Sequence, residues 1–163
     1  MTALGVFRDD FYNAVSALAQ AQSVINTQGT GTVLAATTIG GAADCYFVNS
    51  GSAGAVALTT DSAVNIIAQV QNAVATAYKQ GLGSFAAGVN PPPGVPNLFN
   101  FDWTLTIVNN NTAAGAITIS NGAGVTFTGS NVVAIATAVV YQVTVTSPTT
   151  VTFTRVCSFT AGA

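Results

Sequence analysis

Histidine and glutamate are absent from this 163-residue chain, and charged residues make up only 5% of it, against about 25% in an average soluble domain. Without histidine, Ser-His and Cys-His nucleophilic sites and histidine-bound metals are excluded. We predict that Asp9 or Asp10 starts one helix and that Asp61 caps another. A two-carboxylate site would therefore need Asp44 and Asp102, and we do not expect an enzyme.

Cations are equally scarce, since the only basic residues are Arg8, Lys79 and Arg155 and the net charge is -2. Neutralising nucleic-acid phosphates needs several Lys or Arg on one face. A polybasic patch for a membrane surface is also absent. The longest apolar stretch, Val132 to Tyr141, is far shorter than the roughly 20 residues of a transmembrane helix. We therefore expect neither nucleic acid nor membrane as a partner.

So low a charge has two explanations. Either Ser, Thr, Asn and Gln keep the surface hydrated, or partner proteins cover much of it, since the cores of interfaces are depleted in charge. We expect both, and predict an obligate oligomer. The start of the chain, Met1 to Phe11, carries Arg8 and two aspartates and lacks the apolar stretch of a secretory signal. We therefore expect synthesis in a cytosol.

The two cysteines, Cys45 and Cys157, have no CxxC spacing, so the sequence indicates no metal or redox motif. We favour the interpretation that both are small buried hydrophobic residues. A disulfide within or between chains stays open as the alternative. No phosphate-binding motif is present either, and we expect no cofactor and no metal.

The first element is predicted to be a helix from about Asp9 to Ile25, followed by the helix-ending run through Gly29. Phe11, Val15 and Leu18 fall near one face of it at helical spacing. The opposite face is small and uncharged. Residues 1–28 are therefore expected to form a helical arm that lies on a partner.

Residues 29–163 are expected to form one mainly-β domain, an antiparallel β-sandwich or jelly-roll-like fold with one further short helix besides the N-terminal helix. The helix is predicted over residues 62–78. Predicted strands cover residues 32–38, 44–49, 55–59, 102–109, 116–120, 125–128, 132–136, 139–146 and 150–156. Turn residues separate them at the short spacing typical of sandwiches, and Asn121-Gly122 is the strongest turn signal.

A proline-rich loop interrupts the domain at residues 81–100, because three consecutive prolines exclude a helix interior or a central strand. The loop is either a surface crossover or a protruding segment that contacts a neighbouring subunit. Trp103 is predicted to lie in the core, whereas core and interface remain open for Phe99 and Phe101. The candidate interface residues are Phe11, Val15, Leu18, Pro92, Pro93, Phe99 and Phe101.

A weak internal repeat relates residues 46–59 to residues 106–119, with one inserted residue in the second copy. Both copies read as a strand, a polar turn, Gly-Ala and a second strand. Because two copies are few for a solenoid, we interpret them as two similar hairpins within one sandwich.

Four segments carry a family resemblance: Leu58 to Ala68, Leu105 to Ile119, Gly122 to Gly129, and Tyr141 to Thr152. Their turn-and-strand patterns resemble a β module of tailed-phage virion proteins, found in capsid decoration (cement) proteins and in head or tail fibres. The resemblance covers about residues 55–155 and brings no catalytic residues. It implies a homotrimer on the major capsid protein lattice, at the capsid surface of a virion, that stabilises the head.

The alternative function is a receptor- or glycan-binding fibre or spike module. Carbohydrate platforms are built from exposed aromatic side chains, and the candidates here are Tyr46, Phe99, Phe101 and Trp103. An exposed cluster of these rings would favour glycan binding, whereas an N-terminal arm that becomes ordered only on a capsid would favour decoration.

Overall fold

The computed structural model describes residues 22–26, 32–40, 44–49, 54–77, 98–111 and 115–161. Within these ranges the chain is mainly β, with two helices, and the predicted class of a mainly-β, sandwich-like domain is confirmed. The strands are β1 (Gln22–Asn26), β2 (Thr32–Leu34), β3 (Asp44–Asn49), β4 (Val56–Thr60), β5 (Asp102–Asn109), β6 (Ile117–Ser120), β7 (Val125–Thr128), β8 (Val132–Val133), β9 (Thr137–Ser147) and β10 (Thr150–Thr160). The helices are α1 (Ala36–Gly40) and α2 (Ala63–Ala77).

The strands form a six-stranded sheet, in the order β1-β3-β5-β9-β10-β7, and a four-stranded sheet, in the order β2-β4-β6-β8. Both sheets are mixed, which the prediction of antiparallel pairing did not include. The pairs β1–β3, β3–β5, β2–β4, β4–β6 and β7–β10 are parallel. The antiparallel pairs are β5–β9, β9–β10 and β6–β8.

Four of these five parallel pairs, all but β7–β10, arise because the chain winds in three successive coils. Each coil places its first strand in the larger sheet and its second strand in the smaller one: β1 then β2, β3 then β4, β5 then β6. Equivalent strands of neighbouring coils consequently run in the same direction and stack side by side, as in a β-helix.

This stacking accounts for the internal repeat. Phe47 pairs with Ile107 in the larger sheet, and Leu58 pairs with Ile119 in the smaller one, so the aligned positions of the two copies are neighbours in space. The interpretation of the copies as two hairpins was wrong, because β3 and β4 lie in different sheets and do not pair with each other.

Two predicted boundaries change because pairing between coils overrides local propensity. Residues 22–25, predicted as the end of the first helix, belong to β1, which pairs with β3. The remainder of that predicted helix lies outside the described residues. The strand predicted over residues 32–38 ends at Leu34 and gives way to α1. By contrast, the helix predicted over residues 62–78 is confirmed as α2.

The start of α2 is held by Ser62, whereas Asp61 was predicted to be the N-cap. The Ser62 hydroxyl accepts a hydrogen bond from the Asn65 backbone N–H at 3.4 Å, as expected of an N-cap. The Asp61 carboxylate accepts one from the Asn65 side chain at 2.6 Å and one from the backbone N–H of Ala36 at 3.3 Å. Asp61 thereby joins the first turns of both helices, where negative charge is favourable.

Trp103 lies in the hydrophobic core, as predicted. Its indole N–H donates a hydrogen bond to the backbone carbonyl of Ile39 in α1, at 2.5 Å, and its ring stacks on Phe101 at 5.9 Å between centroids. The neighbouring core positions Leu105 and Ile107 of β5 are fully buried. Burial of these side chains supplies the main favourable term in folding.

Asparagine occupies the same register position in all three coils, at Asn26, Asn49 and Asn109. The Asn109 side-chain amide donates to the carbonyls of Gly115 at 3.1 Å and Val133 at 3.3 Å. Its oxygen accepts from the Asn111 backbone N–H at 3.2 Å. This buried side chain therefore holds the turn that carries the third coil from one sheet to the other.

We predict that Asn109→Ala lowers the free energy of unfolding by about 3 kcal/mol, because it leaves buried backbone groups without their partners. Urea denaturation measures this change. The control is Asn110→Ala, whose side chain is exposed and whose backbone N–H donates to the Asn49 carbonyl in either case. It should stay within about 0.5 kcal/mol of the parent protein, and equal losses in both variants would contradict the role of Asn109.

Gly122 lies where the chain passes from β6 to β7, against the end of β4. Its N–H donates to the Thr60 hydroxyl at 2.8 Å. A Cβ atom on Gly122 would lie 2.4 Å from the carbonyl oxygens of both Thr60 and Asp61. Only glycine lets the two backbone segments approach this closely.

We predict that Gly122→Ala destabilises the protein by about 2 kcal/mol or more, because backbone has to move to admit the methyl group. The matched control is Gly54→Ala, where the added Cβ meets nothing within 4 Å. That change should be neutral or stabilise by up to about 1 kcal/mol. Thermal unfolding of the two variants side by side gives the comparison, and a Gly122→Ala protein as stable as Gly54→Ala would contradict it.

Candidate assembly surface

The outer face of the larger sheet carries the side chains that alternate with the core residues. At one end this face is a threonine half, in two rows that run across neighbouring strands. The first row is Thr126, Thr152, Thr144 and Asp102, and the second is Thr128, Thr154, Gln142, Thr104 and Asp44. The hydroxyls of Thr126 and Thr152 are hydrogen bonded at 2.9 Å. Hydroxyls, together with the exposed Asp102 at the end of the first row, therefore keep this half hydrated, largely as one of the two explanations for the low charge requires.

The other end of the same face is an apolar half. Its two rows are Phe159, Ala138, Val108 and Val48, followed by Cys157, Val140, Thr106 and Tyr46. Phe159 and Cys157 are exposed, whereas Ala138 and Thr106 on the central strands are buried. The face thus changes from hydroxyl-rich to apolar along its length, and neither row of the apolar half contains a charged side chain.

β10 extends beyond the core as it enters the apolar half. The pairing with β9 shifts between Arg155 and Cys157, so that Val156 is an extra residue in the strand. β7 pairs only with residues Val151 to Thr154. We call residues Val156–Thr160 the β10 tail; all five are exposed, although β10 was predicted to end at Val156.

Two side chains tie the base of the tail to β8 and to the loop that precedes it. The Arg155 guanidinium donates to the Val132 carbonyl at 3.0 Å, and the Tyr141 hydroxyl donates to the Ser130 carbonyl at 2.9 Å. Burial raises the pKa of Tyr141 above its ordinary value of 10.0, and the positive charge of Arg155 opposes this shift. The buried Tyr141 ring also packs edge-on against Phe127 at 5.6 Å between centroids.

The predicted interface residues are placed as follows. Phe99 is exposed, with 54% of its surface accessible, whereas Phe101 is buried against Trp103. Phe11, Val15, Leu18, Pro92 and Pro93 lie outside the described residues. The exposed tail was missed, although a signal was present: from residue 156 onwards the sequence contains neither charge nor proline.

The described residues offer little for covalent or metal chemistry. They contain no group of three or more His, Cys, Asp or Glu side chains that could hold a metal ion. The strand register places Asp44 and Asp102 on neighbouring strands, two residues apart, and the Asp102 carboxylate accepts a hydrogen bond from the Gln142 side chain. Cys45 is buried, as expected, but Cys157 is an exposed thiol.

Comparisons with known proteins identify no relative: no family model, no curated protein and no solved structure matches the chain. Within the described ranges, no helix has the length and apolar character needed to span a membrane.

We predict that stability falls as the pH rises above about 10, because the unfolded chain then loses the Tyr141 proton while the folded protein, with its raised pKa, retains it. At neutral pH, Tyr141→Phe should cost about 1 kcal/mol through loss of the bond to Ser130. Its difference from the parent should then shrink as the pH rises above 10. Denaturant unfolding at several pH values measures both effects.

The control for this experiment is Tyr46→Phe, which removes a half-buried phenol from β3 and keeps the Tyr141 bond. The alkaline loss that depends on Tyr141 should persist in that variant. An unchanged gap between Tyr141→Phe and the parent across the alkaline range would contradict the assignment.

Proposed function

We propose that this chain is a structural virion protein, a capsid decoration or cement protein that binds as a homotrimer to the major capsid protein lattice and stabilises the head. The observation that carries the proposal is the outer face of the larger sheet, with its threonine half and its apolar half. Among the described strands, the charged positions of this broad face are Asp102 and Asp44 at the ends of the threonine rows, and the uncharged remainder is suited to lasting contact with protein.

The energetics favour such a use. Burying apolar surface contributes roughly 25 cal/mol per Å², whereas burying ions in an interface incurs a desolvation cost that ion pairing often fails to offset. The apolar rows contain no ion. Small contacts of this type, repeated over many identical subunits, together resist expansion of a shell.

The scaffold beneath the face supports the same role. β5 is paired along its length on both sides, with β3 and with β9. The buried Asn109 and the indole of Trp103 hold the adjoining turn and helix to it. Because the strands beneath it are held in place on both sides, the outer face of the larger sheet should keep its shape when the shell is under pressure.

The alternative, a receptor- or glycan-binding fibre or spike module, has less support from the aromatic residues. Trp103 and Phe101 are buried, and Tyr46 is half-buried. Of the four candidates only Phe99 is largely exposed. A single exposed ring is a small platform for a sugar, so the decoration role is the better-supported proposal.

We predict that the purified protein has the mass of a trimer by light scattering, and that the mass is the same with and without reductant. In this proposal the subunits associate through non-covalent contacts of the outer face, so the trimer needs no intermolecular disulfide through Cys157. A trimer that dissociates in reductant would show that Cys157 holds it. A folded monomer in both conditions would contradict the homotrimer and direct attention to glycan arrays.

A further inference from the structure

The β10 tail is a strand that is paired on one side only. Its residues pair with Thr137–Val140 of β9, and beyond the tail the Ala161 N–H donates to the Ala136 carbonyl at 2.9 Å. On its other side the described residues supply no strand, because the pairing of β7 ends at Thr154. Pairing with β9 therefore holds the tail in an extended conformation in the single chain.

This edge lacks the usual protection against pairing. Natural sheets shield an edge with charged side chains, prolines or bulges. The tail has no charge and no proline, and its one bulge lies at its first residue, Val156. Val156 and Phe159 are 60% and 52% exposed. Phe159 and Cys157 belong to the apolar half of the outer face, and Val156 adjoins it.

The nearest charge is turned away from the tail. The Arg155 guanidinium donates to the carbonyls of Val132 and Ser130, at 3.0 and 3.5 Å. A charged partner surface would find no counter-charge on the tail, and its ions would lose hydration without compensation. A second copy of the same uncharged segment brings neither repulsion nor an unpaired ion.

We infer that the β10 tail is the surface through which copies of this chain associate, with Val156 and Phe159 buried against the neighbouring copy. The inference rests on the proposed function, because it names the contact within that same oligomer. Both side chains lie on a segment that is already extended, so little ordering is needed for them to dock.

Light scattering of lysine variants tests the inference. Val156→Lys and Phe159→Lys place a charge in the contact and should weaken association by about tenfold or more, which lowers the mass towards the monomer. Phe159→Leu keeps an apolar side chain and should remain assembled. Val33→Lys is the matched control, since Val33 is 57% exposed on β2 of the other sheet, and it should also remain assembled.

The outcomes separate the inference from the proposed function. If the parent is an oligomer and both lysine variants at the tail keep its mass, the inference is wrong and the proposed function stands. The inference is also wrong if Val33→Lys dissociates as readily as the tail variants. If the parent protein is itself a monomer, both fail.

Alkylation of Cys157 gives a second measurement, which compares the parent protein with Phe159→Lys. Cys157 lies within the tail and is exposed in the single chain, whereas Cys45 is buried. In the assembled parent the Cys157 thiol should react with a maleimide about tenfold more slowly than in Phe159→Lys, with Cys45 as an unreactive internal reference. Equal rates in the two proteins, with the parent assembled, would overturn the inference.

Discussion

The pairing of β5 with two different neighbours is the contact on which the rest of the structure depends. On one edge β5 pairs in parallel with β3, and on the other it pairs antiparallel with β9. The first pairing continues the stack of coils, and the second begins the antiparallel part of the sheet. Because Trp103 and Asn109 lie at the two ends of this strand, β5 also positions α1 and the turn into the smaller sheet.

Much of the fold could be predicted from short-range patterns, and the limits of that prediction have a physical cause. The alternation of Trp103, Leu105 and Ile107 predicts β5 and its buried side correctly, and polar turns bound most strands. Local pattern does not say which strands become neighbours. The repeat of residues 46–59 in 106–119 contained that information, but the same pattern fits a pair of hairpins, and only the assignment of β3 and β4 to different sheets separates the two.

The candidate site was less predictable, because exposure depends on where neighbouring strands end. Composition indicated a surface with few charges, and the outer face of the larger sheet has Asp102 and Asp44 at the ends of its threonine rows and no charge in its apolar rows. Phe99 and Phe101 stand close together in the sequence, yet one is exposed and the other lies against Trp103. The β10 tail is exposed because β7 is short; the lack of charge and proline from residue 156 onwards indicates an unprotected segment but does not reveal where the neighbouring strand ends.

The third coil is separated from the second by a long stretch of chain that includes α2, yet β4 and β6 remain in register. The sheets therefore do not determine how many residues join β4 to β5. Loop-closure entropy rises only slowly with length, so the long separation along the chain between β4 and β6 costs the stacked coils little more than a short one would. The register between neighbouring coils is thus set where their strands meet and not by the distance between them along the chain.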